Sequence, residues 1–310
     1  SQHFLDENFA GEVASAAREE NEREEASRAQ YEEAKAKGLP APTLFRPVWK
    51  QLSALARDEP RRMAEASRIK NGGLRVKEEK KGILALIAAL GLPANERELT
   101  LTSGLRLPLL GEKLDAAGDP YLWIFEATAA GGAENPEEPG KKPVPAESDS
   151  DPLDLVLSDD QFEVALELPP EARKFKNRGW LTLLSAGVFA ETRPPRWVIL
   201  ASPEQWLLID RSKFSERRLL RFDWKELLGR RDDKTLQATA CLLGQKAFAV
   251  KDGESLLEKL ETESFKHAQG VSGDLKYALR ESIELLGNEA ARQLRQKSAD
   301  AKTGFYSGKN

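Results

Sequence analysis

Three short runs rich in aromatic and β-branched residues constrain this fold more than any other feature of the chain: PYLWIFEATA (120–129), RWVILAS (196–202) and QWLLID (205–210). Side chains of these types fit a pleated, half-buried surface. The first run predicts a central strand. The second alternates around Trp197 and Ile199 and the third around Trp206 and Leu208, with only Pro203-Glu204 between them. Upstream, RELTLTSGLRLPLL (97–110) alternates through Leu99 and Leu101 and carries a turn signal at Ser103-Gly104. RRLLRFDW (217–224) predicts one more short strand.

Helical periodicity surrounds these runs. Residues 5–37 are dense in Ala, Glu and Arg, with apolar positions confined to Phe9, Val13, Ala16, Ala17 and Tyr31. This pattern predicts a solvated helix laced by i,i+4 ion pairs. GLPAPTLFRP (38–47) ends it. Val48, Leu52 and Leu55 predict a short helix, and Ile83, Leu84, Ile87 and Leu90 a stronger one stopped by Gly91 and Pro93. A further helix is expected over 179–190. Another starts after Asp223, a natural N-cap, and helix dominates beyond 232 apart from an extended piece at AFAVKDG. Strands flanked by helices argue an α/β domain with a mixed sheet over 39–252. The solvated helix precedes it as 1–38, and a helical connector follows as 253–310. In the connector Ser272 is the expected N-cap, and Leu275, Leu279, Ile283, Leu286 and Ala290 form one apolar stripe.

Composition excludes several classes. The single cysteine, Cys241, precludes an internal disulfide and lies in an apolar run, which predicts a buried structural thiol in a cytoplasmic protein. His3 and His267 are the only histidines and cannot complete a zinc site with it. No apolar run reaches the length of a membrane span, and the start lacks the pattern of a signal peptide. The P-loop, the Gly-x-Gly-x-x-Gly fingerprint, the Gly-x-Ser-x-Gly elbow and the Asn/Asp-Pro-Pro-Tyr segment of amino-methyltransferases are all missing. No cofactor is expected in this stretch.

Net charge is −4, but its distribution is uneven. Residues 171–231 hold 14 Lys/Arg against 7 Asp/Glu, while the adjoining 131–170 hold 2 against 11. Within the acidic block, 131–152 is rich in Gly, Pro, Glu and Ser and predicts a disordered surface loop. In the basic block, Arg173, Lys174, Lys176 and Arg178 precede a helix, and Arg211, Lys213, Arg217, Arg218 and Arg221 surround a turn and strand. Fixed cations of this kind can hold duplex phosphates, with the acidic loop as a screen; a solvated charged face is the alternative.

One strand carries a possible catalytic pattern. Nucleases of the PD-(D/E)xK type use an Asp and, on the next strand, Glu-x-Lys; the carboxylates hold Mg²⁺ and the Lys assists the attacking water. Here Asp119 precedes Glu126-Ala127-Thr128, so threonine stands where the lysine belongs. The pattern predicts a degenerate, restriction-nuclease-like scaffold in which Asp119, Glu126 and Thr128 are vestigial. An active Mg²⁺-dependent endonuclease and a core strand with one polar end are the other readings.

PPRWVILASPEQWLLIDRSKFSERRLLRFDWKELLGRR, LQATACLLG and ESFKHAQGVSGDLKYALRESIELLGNEA together resemble the N-terminal region of large type IIG-like adenine-specific DNA methyltransferases. The variants resembled are those of phage-defence systems such as DISARM and BREX. The resemblance covers about 180–310. It implies a nuclease-like domain and a helical connector ahead of a domain that methylates adenine N6 with S-adenosylmethionine. On that reading this chain is the front portion of a longer enzyme, inactive alone. Its partners would be duplex DNA, the methyltransferase domain of the same polypeptide and other defence subunits. A pure protein–protein interaction module is the remaining alternative.

Overall fold

The computed structural model describes residues 9–128, 151–156, 170–175, 178–251, 253–264, 266, 276, 279–280, 282–283 and 286. The chain divides into two compact units. One is Ala10–Leu256; the other comprises Ser1–Phe9 and Leu257–Asn310.

The larger unit is an α/β domain built on a six-stranded mixed sheet in the order β1-β2-β3-β4-β5-β6. The strands are β1 (Arg97–Thr100), β2 (Arg106–Leu114), β3 (Pro120–Glu126), β4 (Trp197–Ala201), β5 (Gln205–Asp210) and β6 (Leu219–Asp223). Each neighbouring pair is antiparallel except β3 with β4, which run parallel at the centre. A hairpin cannot join parallel strands, so the chain leaves the sheet after β3 and returns at β4 about 70 residues later. The Ser103-Gly104 signal is the β1–β2 turn, with Gly104 at φ 78° and its N–H donated to the Leu101 carbonyl. Register shifts between Leu109 and Gly111, which oppose Phe125 and Ile124. Only glycine fits at that bulge, because a Cβ at 111 would lie 2.0 Å from the Pro93 carbonyl oxygen.

Alternation along the strands sorts two cores. Trp123, Phe125, Val198, Leu200, Leu207 and Ile209 share one face with Phe175, Trp180, Leu183 and Val188. The helix expected over 179–190 starts with one α-turn (Trp180–Thr182), widens into a π-turn (Leu183–Gly187) and tightens into a 3₁₀-turn (Val188–Ala190). Ser185 Oγ donates to the Leu181 carbonyl within this run, competing with the regular backbone ladder. Leu122, Ile124, Ile199, Trp206 and Leu208 take the opposite phase and are buried.

Four helices precede the sheet: α1 (Ala10–Ala36), α2 (Val48–Leu55), α3 (Glu59–Ala66) and α4 (Gly72–Ala89). Two more follow β6: α5 (Trp224–Arg230) and α6 (Asp233–Leu243). Asp223 caps α5, accepting from the Glu226 N–H at 2.9 Å, and Asp232 caps α6 in the same way. Trp224 meets Trp206 edge to face, with centroids 5.2 Å apart. The stronger helix read from Ile83 onward begins eleven residues earlier, at Gly72, where the Asn71 side chain accepts from the Leu74 N–H.

Two expectations about organisation meet a different arrangement. Helix α1 groups with the sheet domain, so the compact unit begins at Ala10 and not at 39. Its attachment is largely polar: Glu20 accepts from the Val48 N–H, Ser27 Oγ from the Phe45 N–H, and Arg23 lies over the Phe45 ring at 4.2 Å. Val13 and Ala17 supply a small buried strip. In the second unit Leu279, Ile283 and Leu286 are helical, as the stripe predicts, and exposed by 60, 61 and 72%. Ser272, Leu275 and Ala290 lie outside the described residues. No helix among the described residues is long and apolar enough to cross a membrane.

Trp224→Ala would empty a fully buried site against Trp206. It is expected to cost about 3–5 kcal/mol in urea unfolding, with the far-UV spectrum of the folded state unchanged.

Candidate functional site

The carboxyl ends of β3 and β4 lie side by side, Glu126 opposite Ala201. In open α/β sheets, ligands occupy the crevice outside such ends. Here that region gathers buried polar residues: Glu126 and Thr128 following β3, Ser202 and Glu204 in the β4–β5 turn, and Glu79 on α4. Beside them α4 contributes Lys80, whose Nζ lies 3.5 Å from Glu126 Oε2 and 2.6 Å from Glu96 Oε2. Glu204 carries Lys225 at 3.8 Å and offers its carbonyl to the Trp224 N–H.

The three nuclease candidates do not converge. Asp119 immediately precedes β3 and Glu126 ends it, so the strand's rise separates them by roughly 20 Å. Asp119 sits in the β2–β3 turn, where its carboxylate pairs with Arg193 at 2.9 Å and its N–H is donated to Asp115. The neighbouring strand supplies no replacement. β2 brings Leu109 opposite Phe125, while its one acid, Glu112, lies further along, paired with Arg97 and accepting from Trp123 Nε1. Among the described residues no group of three or more His, Cys, Asp or Glu is placed to hold a metal ion. Thr128 is buried and cannot act as a cation.

The cation beside Glu126 is therefore Lys80, 46 residues upstream in sequence. Its signal was readable: Lys80 lies three, four and seven positions before Ile83, Leu84 and Ile87, on the apolar side of the helix. Glu79 similarly precedes Ile83, Leu86 and Ile87. A charged residue on the buried stripe of an amphipathic helix requires a partner across the interface.

Electrostatics in this crevice are dominated by lost hydration. Burial raises the Glu126 pKa, and Lys80 only partly offsets it. Burial also disfavours the Lys80 ammonium, but Glu96 and Glu126 outweigh that effect, and its pKa ends above the usual value. Glu79 is pushed up to about 7 by burial, opposed by Arg75 and reinforced by the charges of Glu204 and Glu126. Glu79 thus titrates near neutrality.

The basic residues occupy the edge of the sheet. A 3₁₀-turn, Arg211–Glu216, joins β5 to β6. Asp210 holds this turn, accepting from the Ser212 N–H at 2.7 Å and pairing with Arg196 at 2.9 Å. Arg217 closes it in the left-handed region, at φ 56°. Arg211, Arg217, Arg218 and Arg221 are exposed and Lys213 is half-buried. Arg218 has Glu216 at 3.1 Å, and Arg211 donates to the Pro194 carbonyl. Arg221 is paired with Asp151 at 2.5 Å. Asp151 belongs to the acidic segment, so that block is tied to the basic edge at one point; 131–150 lie outside the described residues. Arg173, Lys174 and Arg178 are exposed as well, with Lys174 Nζ 5.0 Å from the Phe175 ring centre; Lys176 lies outside the described residues.

Cys241 on α6 is buried, and burial pushes its thiol up to about 11, which suits an inert packing role.

Removing Lys80 would leave Glu126 buried beside other carboxylates. Lys80→Met is expected to cost about 1–2 kcal/mol at pH 8 by chemical denaturation, and far less in a Glu126→Gln background. Glu79 has the opposite sign. Its folded pKa lies above its unfolded one, so its contribution to stability falls as pH rises from about 4.5 to 7 and is flat beyond. Glu79→Gln should therefore raise the midpoint of thermal unfolding at pH 8 and leave it nearly unchanged at pH 4.

Comparison of the chain with protein-family models, with curated proteins and with solved structures gives no match in any of the three.

Proposed function

We propose that this chain is a non-catalytic, nuclease-derived scaffold that holds the backbone of duplex DNA along the β5–β6 edge. It serves as the front part of an adenine-specific DNA methyltransferase of the phage-defence kind that its sequence resembles. The observation carrying the reading is the anchored basic turn. Arg211, Arg217 and Arg218 project from a 3₁₀-turn locked by Asp210, and Arg221 follows on β6. Phosphate recognition needs cations held in place, because ordering them on binding would cost entropy. The Asp151–Arg221 pair gives the acidic segment a foothold from which to compete with phosphate for the same edge. A mixed sheet flanked by helices, with Glu126 closed off by Lys80, suits a restriction-nuclease-like scaffold that has lost its metal site. S-adenosylmethionine and base recognition would belong to the methyltransferase domain of the parent enzyme.

Backbone binding through about four to five cations must weaken steeply with salt. The affinity for a 20-base-pair duplex is expected to fall roughly 10²-fold between 50 and 200 mM NaCl, measured by fluorescence anisotropy. Replacing Arg211, Arg217 and Arg218 together by Ala should flatten the salt slope by about 2–3. Binding that is absent at 50 mM, or indifferent to salt, would leave the protein-interaction reading in its place.

The Glu126–Lys80 pair favours one second reading, an endonuclease whose lysine comes from a helix instead of the strand. Mg²⁺-dependent nicking of a plasmid, abolished by Glu126→Ala, would establish it.

A further inference from the structure

Helices α3 and α4 enclose a cavity of about 370 Å³ that the DNA-binding reading does not use. Its wall contains four carboxylates, from Glu59, Glu65, Glu78 and Glu79, against a single guanidinium, that of Arg62, and it includes the thioether of Met63. Two of the four acids are almost wholly buried: Glu59 is 2% exposed and Glu79 4%. Burying a carboxylate is costly unless it is paired and hydrogen-bonded. Glu59 is satisfied by Arg62 at 2.9 Å, and its other oxygen fits the space left by Gly82, where a Cβ would stand 2.5 Å away. Glu79 is not satisfied. Its Oε1 is 3.7 Å from Arg75 Nε, beyond hydrogen-bond reach, and its Oε2 is buried with no hydrogen-bond partner.

We propose that this cavity binds a small alkylguanidinium compound, with Glu79 as the buried counter-ion and Met63 packing against the alkyl portion. The excess of carboxylates selects a cation. Its shape follows from their placement: no three of the described acids converge on a point that could hold a metal ion, so a compact charge cannot be shared among them. A planar guanidinium, with five donors spread over its edges, can reach acids that stand apart, and it is less strongly hydrated than an ammonium. An acid kept buried and under-bonded weakens the fold; a ligand that completes its bonding explains its presence.

Protonation supplies a signature. Burial holds the Glu79 pKa near 7, and a bound cation favours the ionised form, so binding and proton release are linked. The groups acting on Glu79 are Arg75 from its own helix, Glu126 from β3, itself paired with Lys80, and Glu204 from the β4–β5 turn, which carries Lys225. Facing the cavity from α3 are Glu59, Arg62 and Glu65.

The test is calorimetric titration of the full chain with butylguanidinium chloride, butylammonium chloride and MgCl₂ at pH 6 and pH 8. Butylguanidinium should bind, and bind roughly tenfold more tightly at pH 8 than at pH 6, following the ionised fraction of Glu79. Glu79→Gln, which preserves shape, should lose at least tenfold in affinity at pH 8 and all pH dependence, with its thermal unfolding still cooperative. Glu204→Gln, outside the cavity wall, should keep the pH 8 affinity and move the pH midpoint downward. The proposal is overturned if butylguanidinium fails to bind at 5 mM or if Glu79→Gln binds it as the parent does. It is equally overturned if butylammonium or Mg²⁺ binds as tightly. None of these outcomes depends on whether the basic edge holds DNA.

Discussion

The parallel pairing of β3 with β4 is the constraint from which the rest of the domain follows. Parallel neighbours need a long excursion between them. In this chain that excursion holds the acidic segment and the irregular helical run of Trp180–Thr182, Leu183–Gly187 and Val188–Ala190, which covers one face of the sheet. The same pairing aligns two strand ends, Glu126 beside Ala201, and so makes the polar crevice in which Lys80, Glu79 and Glu204 meet. An antiparallel partner would have brought the opposite end of a strand against Glu126.

Electrostatics then divide the molecule into two regimes. Inside the crevice charges are few and desolvated, so each requires a specific partner: Glu126 has Lys80, Glu59 has Arg62, and Glu79 has only a distant Arg75. At the β5–β6 edge charges are many and exposed, individually weak and collectively strong towards a polyanion. The acidic segment meets the second regime at Asp151, where a pair with Arg221 is solvent-accessible and easily exchanged.

Much of the fold was legible in the residues. The aromatic run at 120–126 is one of the two central strands, the Ser103-Gly104 turn and the Asp223 cap stand where their chemistry puts them, and the strands at 197–201 and 205–210 pair through a short turn. These features rest on local rules: side-chain alternation, turn conformation and capping. Less legible was the docking of α1. Its attachment uses polar side chains on a surface that composition describes only as solvated, together with a small strip of Val13 and Ala17. The start of α4 was also missed, because residues 72–78 carry little apolar periodicity and the Asn71 cap is what begins the helix.

The candidate site divides along the same line. Sequence alone marked Glu126, noted that Thr128 could not serve as a lysine, and located the basic block, because residue identity and spacing are local properties. Only the tertiary structure could show that Asp119 is a strand's length from Glu126, that Lys80 closes over that carboxylate, and that Glu79 is buried without adequate bonding. The physical reason is that charge pairing and desolvation depend on distance through space. Where a chain leaves its sheet for some 70 residues between parallel neighbours, position along the sequence says little about which side chains share one low-dielectric crevice.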